Sequence, residues 1–318
     1  MSNYQLDFEL PLKTIEDKIN ELKSASVKTG VDVTSAIEKL RGELIEKQKE
    51  IYSSLSRWER VQLARHPNRP HSIDMINLIT DYWFEMHGDR FYGDDKAIIA
   101  GLAQIENFNV AIIAQEKGRS TKEKVFRNFG MPKPEGYRKA ARVMRLAEQY
   151  GLPVITFIDT PGAYPGIGAE ERGQAEAIAS NLILMSNLKT PIISFVLGEG
   201  ASGGALGIGL SDKIICFENT WYSVISPEGC ASILFRDPAR ASEAADSMKV
   251  TASDLFELGI ADKIIPEPIG GAHTNHELTA HYLKESIIEQ LISFKNINIE
   301  SLLKNRLRKY EQIGSWDE

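Results

Sequence analysis

LGEGASGGALGIG, residues 197–209, is the stretch of this chain that decides its fold and its candidate site. The apolar run from Pro191 to Leu197 enters it as a buried strand would, and the small residues that follow can begin a helix. Glycine carries no Cβ, so a ligand can approach the backbone closely here. If the helix begins near Gly203, the N–H groups of Gly203, Gly204 and Ala205 are free donors at its positive end and can hold a developing oxyanion. A tight strand-to-helix turn without a chemical role is the alternative interpretation.

A second glycine-rich segment lies one strand and one helix earlier in the chain. DTPGAYPGIG, residues 159–168, follows a strand predicted at 154–158, and a helix predicted over 170–188 leads to the strand at 192–197. This alternation predicts an α/β fold with a largely parallel sheet, and such sheets bind ligands at the C-terminal ends of their strands. We therefore expect both segments at one edge of the sheet. Further strands are predicted at 97–105, 110–115, 213–217, 222–225 and 260–265, further helices at 73–86, 136–150, 276–294 and 299–312, and an irregular segment at 117–135.

The chain divides into three parts by its sequence pattern. Residues 1–66 carry apolar residues at helical spacing on either side of a turn at Gly30, which predicts a helical hairpin that packs on the body or on a partner. Pro67 and Pro70 mark the next boundary. Residues 67–296 are predicted to form the main domain, and residues 297–318 a C-terminal helix.

Composition excludes several classes of protein. No run of about 18 uncharged apolar residues is present, so we expect no membrane span, and the N-terminus lacks the pattern of a signal peptide. Cys216 and Cys230 have no metal-ligand spacing, which favours a reduced, cytoplasmic setting and no metal site. The net charge of −7 gives no overall indication of nucleic-acid binding.

A local excess of basic residues stands out between positions 117 and 145. Only Glu123 and Glu135 are acidic there. The segment is either a solvated surface or a region that attracts an anionic ligand or an acidic partner. Its basic residues are Lys117, Arg119, Lys122, Lys124, Arg127, Lys133, Arg138, Lys139, Arg142 and Arg145.

A nucleophilic serine is an alternative for the first stretch. Residues 200–204, GASGG, match G-x-S-x-G, the turn that presents the nucleophile in serine hydrolases, with Ser202 at its centre. His273, His276 and His281 lie downstream, as the order of such a triad allows. Residues 118–122 lack the G-K-[ST] ending of a nucleotide-binding P-loop, so we expect no ATP site of that kind.

Seven motifs in order resemble the α-subunit family of the carboxyltransferase of bacterial acetyl-coenzyme A carboxylases. The resemblance covers nearly the whole chain. The sequence departs from the family pattern at Ala201, where this chain has EGASGG instead of EGGSGG. The motifs are HGDR (87–90), RNFGMPKPEGYRKA (127–140), FIDTPGAYPG (157–166), AEERGQ (169–174), GEGASGGALGIG (198–209), YSVISPEG (222–229) and GGAH (270–273).

The resemblance implies a fold, a reaction and partners. The fold is crotonase-like, a stack of ββα units, here with the N-terminal helical hairpin as an extension. The reaction moves a carboxyl group from carboxybiotin on the biotin carboxyl carrier protein to acetyl-coenzyme A, which gives malonyl-coenzyme A for fatty acid biosynthesis. Two α chains join two β chains, which carry a zinc ribbon and most of the coenzyme A site. Biotin carboxylase charges the biotin with ATP elsewhere, so neither a metal nor an ATP site is expected in this chain.

The resemblance also suggests roles for individual residues. Gly203 and Gly204 would hold the biotin ureido oxygen, with Ala205 beside them, and Gly162 and Ala163 would shape the adjoining wall. The basic residues Arg127, Lys133 and Arg138 would meet either the coenzyme A phosphates or the β chain. The biotin nitrogen can itself take the methyl proton, so no side-chain base is required.

Two further alternatives remain open. A self-sufficient hydratase or isomerase of the same fold needs a carboxylate over the oxyanion hole, for which Glu171 and Glu228 are the candidates. A pure scaffold would leave all chemistry to the partner chain.

Overall fold

A computed structural model describes residues 4–314 and shows one large sheet between two layers of helices. The strands are β1 Tyr82–Glu85, β2 Ile98–Ile105, β3 Phe108–Gln115, β4 Val154–Thr160, β5 Ile192–Ala201, β6 Lys213–Phe217, β7 Trp221–Ser223 and β8 Lys263–Ile265. The helices are α1 Leu10–Thr29, α2 Thr34–Ser53, α3 Arg57–Ala64, α4 Ser72–Ile79, α5 Thr121–Phe126, α6 Pro134–Tyr150, α7 Ile167–Glu171, α8 Gln174–Asn187, α9 Ser202–Gly209, α10 Pro227–Leu234, α11 Ala241–Met248, α12 Ala252–Glu257, α13 His276–Phe294 and α14 Ile299–Glu311.

The sheet is antiparallel at one end and parallel elsewhere. Its order is β1-β2-β3-β4-β5-β6-β8, and β7 also pairs with β5. The pairs β1–β2 and β2–β3 are antiparallel, whereas every pair from β3 onward is parallel. Because β4 and β5 are adjacent and parallel, the two glycine-rich segments emerge side by side at one edge, as the sequence predicts.

Both faces of the sheet are buried, which explains the unbroken apolar runs in β4 and β5. Ile155 and Phe157 face the cluster that includes α4 and α13, whereas Val154 and Ile158 face the cluster of α6, α8 and α9. Each such buried side chain contributes about 1.5–3 kcal/mol relative to an exposed one. The central strands are therefore rigid supports for the segments at their ends.

The N-terminal hairpin turns at Gly30, as its periodicity predicts. Leu12 and Ile19 of α1 are buried. The far end of the hairpin carries apolar side chains without cover, since Val27 is 87% and Val31 59% exposed.

The C-terminal helix α14 is fastened to the body by Arg306. The Arg306 guanidinium bonds both carboxylate oxygens of Asp212 at 2.7 and 2.8 Å and reaches the carbonyls of Met185, Leu188 and Thr190. Only 2% of Arg306 is exposed. Charge-assisted bonds to a buried carboxylate are among the stronger polar contacts, so α14 belongs to the folded body.

Three local predictions are wrong. The helix predicted over 73–86 ends at Ile79, and the aromatic run that begins at Tyr82 forms β1 instead, because it pairs with β2. The helix predicted over 170–188 is interrupted at Gly173, which has φ +81°. The segment predicted as irregular contains α5, begun by a capping box at Ser120.

None of the helices between residues 4 and 314 has the length and apolar character needed to cross a membrane.

Two histidines stack where the end of α3 meets the loop before α13. The ring centroids of His66 and His273 are 3.7 Å apart with an interplanar angle of 23°. Burial lowers the pKa of both rings, and it is aided at His273 by His66 and Arg69, so that the pKa of His273 is about 3. Both rings are therefore neutral at neutral pH. The other charged groups around the pair are Glu9, Glu267 and His276.

We expect this pair to make the protein less stable as the pH falls below about 6.5. The unfolded chain then takes up protons that the folded rings do not, so the free energy of unfolding falls by up to about 1.4 kcal/mol per pH unit for each histidine. Urea unfolding at several pH values between about 7 and 5 measures this slope, and His273→Gln should make it shallower. An unchanged slope in the variant would show that His273 does not cause it.

Candidate active site

The two glycine-rich segments are in direct contact. A Cβ placed on Gly204 would lie 2.5 Å from the backbone nitrogen of Ala163 and 2.7 Å from the Cα of Gly162, so only glycine fits there. At Gly203 the nearest atom to such a Cβ is Ile178 Cδ1 at 3.4 Å, an ordinary contact. The sequence-predicted residues Gly162, Ala163 and Gly204 are thus brought together, and the surface above Gly203 is left open.

Helix α9 begins one residue earlier than the sequence suggests. Strand β5 continues to Ala201, Ser202 turns the chain with φ +58°, and α9 runs from Ser202. Gly203 and Gly204 lie in the first turn of α9, where a backbone N–H has no acceptor four residues back in the helix. Ala205 lies one residue beyond this set and is fully buried.

The first segment is held in shape by its own threonine. Thr160 Oγ1 accepts a hydrogen bond from Gly162 N at 3.1 Å and lies 2.6 Å from the carbonyl oxygen of Gly130, to which it donates. Gly162 has φ +146°, a backbone conformation that other residues rarely adopt. The wall against which Gly204 packs is therefore fixed in place before any ligand arrives.

A buried ion cluster lies at the base of both segments. The segments begin with Asp159 and Glu199, and Lys117 Nζ lies 2.7 Å from a carboxylate oxygen of each. Burial alone would raise the pKa of Glu199, but Lys117 and Arg65 outweigh it and hold that pKa below its ordinary value. Burial likewise opposes the charge of Lys117, yet the two carboxylates raise its pKa. Glu199 and Lys117 are therefore charged, and Lys117, which also contacts Asp159, ties the two segments together.

Arg65 extends this cluster to α10. Its guanidinium bonds Glu199 at 2.7 Å and Glu228 at 2.5 Å, and it lies over the ring of Trp221. Burial would raise the pKa of Glu228, but the bond from Arg65 keeps that pKa below its ordinary value. Glu228 is thus an ion-paired carboxylate, and Glu171, the other carboxylate suggested for a hydratase, lies exposed at the end of α7. A cavity of about 360 Å³ opens beside Arg65, Lys117 and Glu199.

Four of the ten basic residues of the predicted patch pair with acidic side chains. Arg127 donates to the carbonyl of Lys96 at 2.8 Å, and Arg138 bonds Asp89 at 2.9 Å. Lys133 lies closest to the first segment, with its ammonium over the ring of Tyr164, 5.0 Å from the centroid. Other pairs are Arg119 with Asp74, Lys139 with Asp94, and Lys117 with Asp159 and Glu199. The patch is therefore partly compensated by acidic partners from distant parts of the sequence, and its attraction for an anionic ligand or an acidic partner stays a prediction.

Ser202 has the strained backbone of a nucleophile but no triad. It is exposed, and no residue among positions 4–314 bonds its hydroxyl. The ring of His273 stacks on His66, His276 Nε2 lies 2.8 Å from the carbonyl of Asn68, and His281 is exposed beside Glu285. The histidines required by the hydrolase alternative are therefore engaged elsewhere.

Comparison with known proteins identifies the family. Residues 5–314 match the family described as acetyl co-enzyme A carboxylase carboxyltransferase-like. The chain is 52% identical over 315 residues to the acetyl-coenzyme A carboxylase carboxyl transferase subunit alpha of Xanthomonas axonopodis pv. citri, covering 99% of this chain and 98% of that one. The protein of the same name from Chlorobaculum parvum is 49% identical over 327 residues, covering 98% and 97%.

The chain belongs to this carboxyltransferase family. The predicted family and enzyme class are thereby confirmed.

Solved structures confirm the fold of this carboxyltransferase chain. Transcarboxylase 12S, with methylmalonyl-coenzyme A and methylmalonic acid bound, superposes with a TM-score of 0.58 at 20% identity, covering 71% of this chain and 42% of that one. A Pseudomonas malonate decarboxylase hetero-tetramer in complex with coenzyme A gives 0.56 at 16% identity, covering 68% and 86%. The predicted crotonase-like α/β architecture is the one observed, and it places the contact of Gly204 with residues 162–163 at the edge where such sheets bind ligands.

Proposed function

We propose that this chain is the α subunit of an acetyl-coenzyme A carboxylase carboxyltransferase and provides the biotin side of its active site. Together with a β subunit it transfers the carboxyl group from carboxybiotin to acetyl-coenzyme A and forms malonyl-coenzyme A for fatty acid biosynthesis. Relatives about half identical over the full chain carry this name. The observation that carries the proposal is the packing of Gly204 on residues 162–163, beside which Gly203 and Gly204 present their N–H groups in the first turn of α9.

Those N–H groups suit an oxygen that gains charge. Carboxybiotin supplies such an oxygen, on its ureido group, as the carboxyl group leaves. Gly203 and Gly204 donate from the positive end of α9, and the open space above Gly203 admits a flat group to backbone distance. Removing one preoriented oxyanion donor costs about 2.7–4 kcal/mol in other enzymes, so two such donors account for a large part of the rate.

The remaining parts of the chain serve the assembly and the second substrate. Lys133, whose ammonium is over Tyr164, is our choice among the basic residues for an anionic group of coenzyme A, because Arg127 and Arg138 are bonded within the chain. Residues 1–66 contact partner chains, residues 67–296 form the carboxyltransferase domain, and residues 297–318 close it. We place the enzyme in the cytoplasm as two α and two β chains, supplied by the biotin carboxyl carrier protein and biotin carboxylase.

The reverse reaction tests this function. The purified chain, mixed with a β subunit, is given malonyl-coenzyme A and biocytin, and acetyl-coenzyme A is measured. We expect product only when both chains are present, and no hydration of crotonyl-coenzyme A by this chain alone. A mixed complex that forms but makes no acetyl-coenzyme A would refute the proposal, and hydration by the single chain would favour the hydratase.

Replacing Ser202 with alanine is expected to leave turnover within a few-fold of the parent. The hydroxyl has no partner between residues 4 and 314, whereas the backbone N–H stays in place. The reverse assay measures the rate, and a fluorophosphonate probe should leave Ser202 unlabelled in the active protein. A loss of about 1000-fold together with labelling of Ser202 would instead support the hydrolase.

A further inference from the structure

One buried side chain outside the predicted site bonds both glycine-rich segments. Gln115 is the last residue of β3 and is fully buried. Its Nε2 donates to the carbonyl oxygen of Gly204 at 2.7 Å, and its Oε1 accepts from the backbone N–H of Asp159 at 3.1 Å. The two arms of one planar amide therefore fix the start of α9 relative to the end of β4.

The sheet itself does not require this side chain. The backbone of Gln115 pairs with Ile98, and the five residues before it in β3, 110–114, are apolar. A polar group is costly to bury unless its bonds are made, and a glutamine here leaves both of its arms satisfied. Tyr137, also fully buried, places its hydroxyl 3.3 Å from the same Gly204 carbonyl oxygen.

The bonds of Gln115 act on the residue that carries an oxyanion donor. Glycine has no side chain to hold its backbone dihedrals, so the orientation of Gly204 depends on contacts made by its peptide groups. These contacts include the packing on residues 162–163 and the bonds from Gln115 and Tyr137 to its carbonyl oxygen, of which the bond from Gln115 is the shorter. A loss of about 1 Å in placement can lower a rate by about 100-fold.

We propose that Gln115 is a positioning residue for carboxyl transfer. By bonding Gly204 and Asp159 together it holds the N–H donors of α9 at a fixed distance from the wall formed by residues 162–163. This inference rests on the function proposed above. It gives a residue of β3 a role in the site that could not be recognised from the two glycine-rich segments alone.

The test compares Gln115→Met, Gln115→Glu and the parent in the reverse assay with the β subunit. Methionine keeps the length and loses both bonds, so we expect kcat to fall by about 10- to 100-fold with KM little changed. Gln104, exposed on β2, is the matched control, and Gln104→Met and Gln104→Glu should behave as the parent.

The pH dependence of kcat in Gln115→Glu distinguishes a positioning role of this side chain from a purely structural one. A buried, unpaired carboxyl group has a raised pKa, and only its protonated form can donate to the Gly204 carbonyl oxygen. Relative to the parent at each pH, the kcat of Gln115→Glu should therefore rise as the pH falls from about 8 to about 6, by up to about tenfold per pH unit. The titratable groups around Gln115 are Asp159, whose N–H it accepts from, Tyr137, which bonds the same Gly204 carbonyl oxygen, Lys117, which bonds Asp159, and its chain neighbour Glu116.

The outcomes separate this inference from the proposed function. An inactive parent complex would overturn the function, and the inference with it. An active parent with unchanged kcat in folded Gln115→Met would overturn the inference alone. A loss of kcat in Gln115→Glu that does not vary with pH would also overturn it. If Gln115→Met does not fold, as its melting curve would show, the pH profile of Gln115→Glu decides.

Discussion

Replacing Gly204 with alanine is expected to lower the kcat of the αβ complex by at least about 100-fold, the effect of losing one oxyanion donor. The new methyl group would lie 2.5 Å from Ala163 N and 2.7 Å from Gly162 Cα, both of which are backbone atoms that cannot rotate away. One segment must therefore move, and the N–H groups of α9 move relative to the wall. The reverse assay gives kcat, and a melting curve shows whether the complex stays folded.

Gly203→Ala is the matched control for this prediction. The added methyl group meets only Ile178 Cδ1 at 3.4 Å and the N–H donor is kept, so the fold should be unaffected. The methyl group enters the space above Gly203, so we expect a raised KM for biocytin and a smaller loss of kcat than in Gly204→Ala. A folded complex of Gly204→Ala with full turnover would favour the scaffold alternative, in which the partner chain carries all of the chemistry. Equal losses of kcat in Gly204→Ala and Gly203→Ala would show that the contact between the two glycine-rich segments does not determine the rate.

Replacing Lys117 with methionine is expected to lower the free energy of unfolding by about 3–5 kcal/mol, as breaking a buried ion pair does. The ammonium is the shared partner of Asp159 and Glu199, whose side chains are 4% and 8% exposed. Without it the two carboxylates face each other at the base of the segments, and Arg65 compensates only Glu199. Urea unfolding of the purified chain measures the change.

Lys122→Met is the matched control, because it removes the same side-chain charge from an exposed position. Lys122 is exposed on α5, so its loss should alter stability by less than about 0.5 kcal/mol. If Lys117→Met is no less stable than Lys122→Met, the cluster does not hold the segments together. Relative to the parent at the same pH, Lys117→Met should regain part of its stability at low pH, where the Glu199 carboxylate is protonated.

The sequence was sufficient to predict the sheet edge and the meeting of the two segments. Apolar runs at 154–158 and 192–197 could only be buried parallel strands between helices, and their C-terminal ends must then be adjacent. Glycine-rich sequence after each run predicted close backbone contact, which the packing of Gly204 on Gly162 displays. These features follow from local pattern and from the geometry of parallel sheets.

Features that depend on distant partners could not be predicted in the same way. In the sequence, nothing distinguishes Lys117 from the other lysines of its segment. In the fold it contacts Asp159 and Glu199, which lie 42 and 82 residues away. In the same way, Gln115 bonds Gly204 across 89 residues. Only Thr80 and Asp81 separate the aromatic run at Tyr82 from the preceding helix, and its pairing with β2 is what makes it a strand. The positive φ of Ser202 likewise depends on how β5 meets α9.

The central claim is that backbone N–H groups at the start of α9 stabilise the charge that develops during carboxyl transfer. Replacing the amide nitrogen of Gly204 with an ester oxygen, by incorporating glycolic acid at that position, removes the donor and adds no side chain. The reverse assay with the β subunit should then show kcat lower by about 100- to 1000-fold, with the melting temperature changed little. An ester variant that folds normally and keeps the parent kcat would contradict the claim.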